Sequence, residues 1–151
     1  MTSLETALTG VTQLGLDTAP IIYFVEANPK YDAVVTEIFK RIDQGSLAGI
    51  TSVITLTEVL TQPVRHQAVD LQRQYRVLLM NSNNFTLVSI DSTMAEQAAN
   101  LRARYNIRTP DALQIAASLI TGCQAFVTND RQLQRVTELS IIILDELQVL
   151  P

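Results

Sequence analysis

Short apolar runs alternate along this chain with stretches of helical period, and that alternation leaves few folds open. The runs cover residues 14–16, 47–52, 85–90, 125–128 and 141–144, and each reads as a strand. Between them, Val34, Val35, Ile38, Phe39 and Ile42 mark the stripe of an amphipathic helix that starts at Asn28-Pro29 and stops at Gly45. Pro20 opens a shorter apolar helix over 21–25, suited by its fixed φ. Thr55-Leu56-Thr57-Glu58 fits a capping box, and the helix it opens cannot pass Pro63 unkinked. Residues 66–80 and 91–105 are helical, the second with Asp91 where an N-cap is needed. Thr109 as N-cap and Pro110 as first helical residue open a helix that Gly122 ends. That helix is apolar nearly all round over 112–120, so it should lie buried between the sheet and another helix. Five short strands alternating with helices predict an α/β fold in three layers, a parallel sheet covered on both faces and joined by right-handed crossovers.

The length of 151 residues is that of one ordinary domain. Hydrophobic residues at 47% against 17% charged exclude a disordered chain. A single cysteine, Cys123, excludes an internal disulfide framework, and its apolar neighbours mark it as a small core residue in a reducing compartment. A single histidine, His66, argues against a His-ligated zinc. No run of about 18 apolar residues is present, and residues 1–15 lack a basic segment and carry Glu5. The expectation is a soluble cytoplasmic protein with no membrane partner.

The acids carry the functional information. Asp17 ends the first strand, and Asp130 lies just beyond the fourth, in Thr128-Asn129-Asp130. Glu58 lies one turn into the helix after the second strand, and Asp111 in the first turn of the most apolar helix. The carboxyl ends of strands in an open parallel sheet face the functional crevice. All four acids therefore share one rim, provided the first, second and fourth strands are neighbours. Carboxylates drawn together disfavour one another's charge. A divalent cation is the economical compensator, and ligands that are all oxygen select a hard ion, Mg²⁺ or Mn²⁺. Such an ion can activate water and clamp a phosphate. With these four set apart, the 15 acids and 11 bases of the chain leave a neutral surface.

Each acid taken singly has a plainer reading. Asp111 can serve the helix dipole, Glu58 the capping box and Asp130 the cap of a short helix over 131–133. Asp17 is the hardest to read that way, because a carboxylate directly after a buried strand is costly unless paired. Asp91 and Asp145 also follow strands, and both read as structural.

In order along the chain stand Leu16-Asp17-Thr18 with Ile21-Ile22-Tyr23, Thr57-Glu58-Val59, Thr109-Pro110-Asp111-Ala112-Leu113 through Ala116, and Phe126-Val127-Thr128-Asn129-Asp130. This series resembles the PIN-domain ribonucleases, closest to the VapC type of toxin–antitoxin modules, from Leu14 to about Leu147. The resemblance implies a strand order of 3-2-1-4-5, metal-dependent cleavage of RNA, a homodimer, and an antitoxin partner that blocks the site. It makes Asp17 and Asp111 the main metal ligands. Glu58 would join them directly or through water, and Asp130 would complete the second-ion side or orient water. Thr128 would hydrogen-bond a neighbouring acid, and Thr18 would support the site. The sequence departs from the family at Ala19-Pro20, where a small polar residue is usual. It is also longer at its start, so residues 1–12 are expected as an extension, mobile in the simplest case, ahead of one domain over 13–151.

The resulting expectation is a Mg²⁺- or Mn²⁺-dependent endoribonuclease, the toxin of a type II toxin–antitoxin pair. Arg65, Arg108 and Arg131, with Arg73, Arg76 and Arg135, are candidates for phosphate contact, although any one of them can simply be solvated surface. The alternative is a catalytically silent acid-pocket binding module, either a degenerate nuclease or a receiver-like domain. No acid of the four is missing, and no Lys follows Ile143 as a receiver would need. A third reading is action chiefly through an antitoxin–DNA complex, but an isoelectric point of about 4.9 argues against DNA binding by this chain alone.

Overall fold

The computed structural model describes residues 1–151. The chain enters through β1 (Thr2–Ser3) and one helical turn, α1 (Leu4–Ala7), into β2 (Gln13–Leu16). Then follow α2 (Thr18–Val25), α3 (Asp32–Gln44), β3 (Ala48–Ser52), α4 (Val53–Arg65) and α5 (Val69–Asn81). After β4 (Phe85–Val88) come α6 (Ser92–Tyr105), α7 (Thr109–Ile120) and β5 (Ala125–Thr128). A 3-10 turn (Arg131–Arg135), β6 (Ser140–Ile143), a second 3-10 turn (Leu144–Glu146) and β7 (Leu147–Gln148) complete it.

The main sheet runs β4-β3-β2-β5-β6, parallel throughout. Its five strands are the five apolar runs, in the order 3-2-1-4-5. The pleat sends alternate side chains to opposite faces. Leu14, Leu16, Ala125 and Val127 join one core with residues of α2, α3 and α5, among them Ile21, Ile38, Ile42, Tyr75 and Leu79. Phe126 points the other way, into a second core with Leu101 of α6 and Ala112, Ile115 and Ala116 of α7. Gly15 belongs to that second face. A Cβ there would lie 2.0 Å from Ser118 Oγ and 3.0 Å from the Phe126 ring, so α7 packs directly on the backbone of the central strand. Gly45, at φ +87°, takes the left-handed conformation that closes α3.

Several boundaries differ from the sequence expectation, each for a local reason. Ser52, not Thr55, caps α4: its hydroxyl accepts from the Ile54 N–H. Thr55 is instead buried in the third helical position, and no capping box forms. Asp17 rather than Pro20 starts α2, and Pro20 is the third helical residue, where a missing N–H leaves no bond unmade. Arg108 is the N-cap residue of α7, without a side-chain bond, so Thr109 is its first helical residue and Pro110 its second. Pro63 falls in the last turn of α4, which ends at Arg65. Asp91 caps α6 by accepting from the Met94 N–H, as expected.

Residues 1–12 are built into the domain in place of a tail. β1 pairs in parallel with β7. Leu4 and Leu8 are buried in the same core as Leu144 and Leu147. No helix is long and apolar enough to cross a membrane.

Candidate active site

The three central strands end on one rim, and the elements that follow them set the four acids around a single cleft of about 350 Å³. Asp17, Glu58, Asp111 and Asp130 all line it, with Thr18, Tyr23, Arg108, Thr128 and Asn129.

Asp17 caps α2 from the end of β2. Its Oδ1 accepts from the Thr18 N–H (2.8 Å) and its Oδ2 from the Thr128 hydroxyl (2.7 Å). Burial pushes its carboxyl above the ordinary range, against those two hydrogen bonds, and the nearby charges of Asp111 and Glu58 push it further the same way. Asp111 is the third residue of α7. Burial raises its carboxyl too, with Asp130 and Glu58 adding to the rise and Arg108 opposing it. Arg108 Nε stands 3.4 Å from Asp111 Oδ2, and its own side chain is 78% exposed, so the pair is a weak one. Glu58, in the second turn of α4, accepts from the Thr18 hydroxyl at 2.6 Å. Asp130 caps the 3-10 turn through the Gln132 N–H, and its own N–H donates to Thr128 Oγ1. Thr128 thereby ties Asp17 to Asp130, and Asp130 both caps and lines the cleft.

The cationic candidates divide. Arg108 lies in the cleft. Arg131, although next to Asp130 in sequence, turns to Glu146 (2.6 Å) and Asp145 (3.3 Å). Asp145 also pairs with Lys30 at 3.0 Å, which gives it the structural role expected of it. Arg65 lies in the last turn of α4 and does not line the cleft.

Behind the acids lies a polar network that the sequence analysis did not single out. Gln114, one turn beyond Asp111, is 2% exposed. Its Oε1 accepts from the Ser52 hydroxyl (2.5 Å), and its Nε2 donates to Thr55 Oγ1 (2.6 Å). The Thr51 hydroxyl donates to the Leu16 carbonyl and its oxygen meets Thr55 Oγ1 at 2.7 Å, so the Thr55 proton goes to Thr51. Thr55 Oγ1 then touches Thr18 Oγ1 at 3.3 Å, and Thr18 is the group that holds Glu58. The one signal for this network was a glutamine in an otherwise apolar helix. Gln114→Leu takes the acceptor from the Ser52 hydroxyl and one donor from Thr55 Oγ1 in the core, and should cost about 1–3 kcal/mol. Urea denaturation would show it, and an unchanged midpoint would mean that water replaces the amide.

The donor set suits a hard divalent cation: it is all oxygen, with two carboxylates held against burial and mutual repulsion. No three of the carboxylates stand close enough in this conformation to close round one ion. Asp17 and Asp111 are the residues that would hold one, with Glu58 and Asp130 at the flanks.

A family model described as a PIN domain matches residues 15–139. No curated protein matches the chain. Among solved structures, the fold is similar to a chain of VapBC2 from Rickettsia felis bound to a DNA fragment from the promoter. That match has a TM-score of 0.71 and 14% identity, over 87% of this chain and 98% of that one. It is also similar to a chain of a toxin–antitoxin complex from Klebsiella pneumoniae, with a TM-score of 0.68 and 17% identity over 88% and 98%. A third is a chain of DNA-bound VapBC from Salmonella typhimurium, with a TM-score of 0.64 and 18% identity over 89% and 98%. At these identities the likeness shows a shared fold.

Proposed function

The chain belongs to the PIN-domain family, a family of nucleases, and from that premise we propose that it is a metal-dependent endoribonuclease, the toxin of a type II toxin–antitoxin pair acting in the cytoplasm. The observation that carries the reading is the gathering of Asp17, Glu58, Asp111 and Asp130, from four separate segments, into one cleft. The antitoxin partner rests on the similar structures, which are toxin–antitoxin complexes.

When bound, Mg²⁺ or Mn²⁺ supplies Lewis-acid charge for the phosphate and lowers the pKa of a water. The chain supplies position. Asp17 and Asp111 would hold the ion, Asp17 aimed by the Thr18 N–H and Thr128 and Asp111 set by the first turn of α7. Thr18 holds Glu58 at the near wall, and Thr128 holds Asp130 beside Asp17. Arg108, mostly exposed, can leave Asp111 for a phosphate oxygen and form a charge-assisted bond there. No cysteine or serine lines the cleft.

The test is cleavage of total RNA with added Mg²⁺ or Mn²⁺ and with a chelator, followed by sequencing of the cut ends. Cleavage that the chelator abolishes, leaving 5′-phosphate and 3′-hydroxyl ends, is the expected result. Undiminished cleavage in chelator, or none with either ion, counts against the reading. RNA binding should also weaken as salt rises.

The homodimer that the family resemblance implies would pair through the outer face of α4. Leu56, Leu60 and Val64, four residues apart, form one stripe; Leu56 and Leu60 are partly buried, and Val64 is 54% exposed. Val64→Asp should turn a dimer into a monomer in sedimentation without unfolding it, whereas an unchanged mass would place the interface elsewhere.

A further inference from the structure

We propose that Tyr23, backed by Tyr31, is a stacking platform for the base of the nucleotide adjoining the phosphate that is cut. This inference rests on the nuclease reading above.

Tyr23 is the one aromatic side chain lining a cleft otherwise dominated by carboxylates. It lies six residues past Asp17 along α2, a rise of about 9 Å. Helical side chains lean toward the N-terminus, so its phenol leans back toward the acids. The ring is held firmly. It stacks on Tyr31 with centroids 4.5 Å apart and planes at 16°. Tyr31 is fixed in turn, because its hydroxyl donates to Asp145 Oδ1 at 2.9 Å. Asp145 is bound by Lys30 and Arg131, and its own N–H donates to Asn129 Oδ1 in the wall of the same cleft. Lys30 Nζ stands 5.2 Å from the Tyr31 ring centre, so the stack carries a cation beside it.

A platform adds to the phosphate contacts at this cleft, where Arg108 and a bound cation would hold the backbone but fix no base. A base offers a contact of its own, since every base has a π-face and stacking on an aromatic ring is tolerant of sequence. A base inside a duplex is already stacked on both faces, so the base that meets Tyr23 is one splayed out of its stack.

The test walks a single abasic nucleotide along an RNA oligonucleotide that contains a mapped cut. With the unaltered protein, one position next to the cut should lower kcat/KM on the order of tenfold, and its neighbours much less. Tyr23→Ala should lose the same factor on the intact oligonucleotide and nothing further on that abasic one. Tyr23→Phe should restore the position dependence. A second measurement needs no variant: 5-iodouridine at the sensitive position should photocrosslink to Tyr23. Normal cleavage with no position dependence, or a crosslink mapping only to other residues, overturns the platform and leaves the nuclease reading standing. A protein that neither binds nor cuts RNA overturns both.

Discussion

An Asp17→Asn protein is expected to lose RNA cleavage by at least 10²–10³-fold, about 2.7–4 kcal/mol of transition-state stabilisation, while becoming more stable without metal. The two effects share one cause. Asp17 sits among Asp111 and Glu58 in a half-buried position whose desolvation disfavours its charge. Its carboxyl therefore titrates above the ordinary value of 3.8. Between that value and the folded-state pKa, the native protein holds a proton that the unfolded chain has released. Metal-free stability should accordingly fall as pH rises through this window. Asparagine carries no charge to bury. Its Oδ1 can still accept from the Thr18 N–H, and its amide can donate to Thr128. Melting curves in chelator across the window should thus be flatter for Asp17→Asn and displaced upward near neutral pH. Mg²⁺ or Mn²⁺ should raise the melting temperature of the unaltered protein by mass action and that of the variant less. A variant that cleaves RNA normally, or one that melts lower at every pH, would remove Asp17 from the centre of the site.

Leu4→Ala is expected to cost about 2–5 kcal/mol, a large part of the 5–15 kcal/mol that holds a typical domain together. Leu4 is 1% exposed and shares its core with Leu8, Leu144 and Leu147. Ser3 caps the turn that carries it by accepting from the Thr6 N–H, and the β1–β7 pairing ties both ends of the chain together. Truncating the side chain leaves a cavity that this double closure keeps from collapsing. The cleft lies at the other elements, so folded Leu4→Ala protein should keep its RNA-cleaving activity. Urea denaturation measures the loss, and a change under about 0.5 kcal/mol, the size of an ordinary surface substitution, would mean that residues 1–12 are peripheral.

The sheet was legible because each strand is a short apolar run whose period is local information. Helix starts were less so. Thr55 and Ser52 both suit an N-cap, and the choice fell to Ser52 because the helix begins directly at the end of β3. That displacement moved Thr55 into the core and freed Glu58 from any capping role. The first twelve residues carry too short a pattern to announce a strand of two residues, and only the partner β7, far along the chain, makes them one. Arg131 illustrates a different limit. It stood among the arginines that could contact phosphate, and the turn pairs its guanidinium with Asp145 and Glu146.

The residue order by itself determined the layered α/β fold and the rim on which Asp17, Glu58, Asp111 and Asp130 emerge. Apolar period and strand ends are written within a few residues of each position. Only the tertiary structure decided what holds and surrounds those acids. Gln114 meets Ser52 across 62 positions, Thr128 meets Asp17 across 111, and Tyr23 comes to lie flat on Tyr31 beside the cleft. A hydrogen bond or a stacked ring needs its partner placed to within a fraction of an ångström, and that placement follows from how the whole core packs, which no local pattern contains.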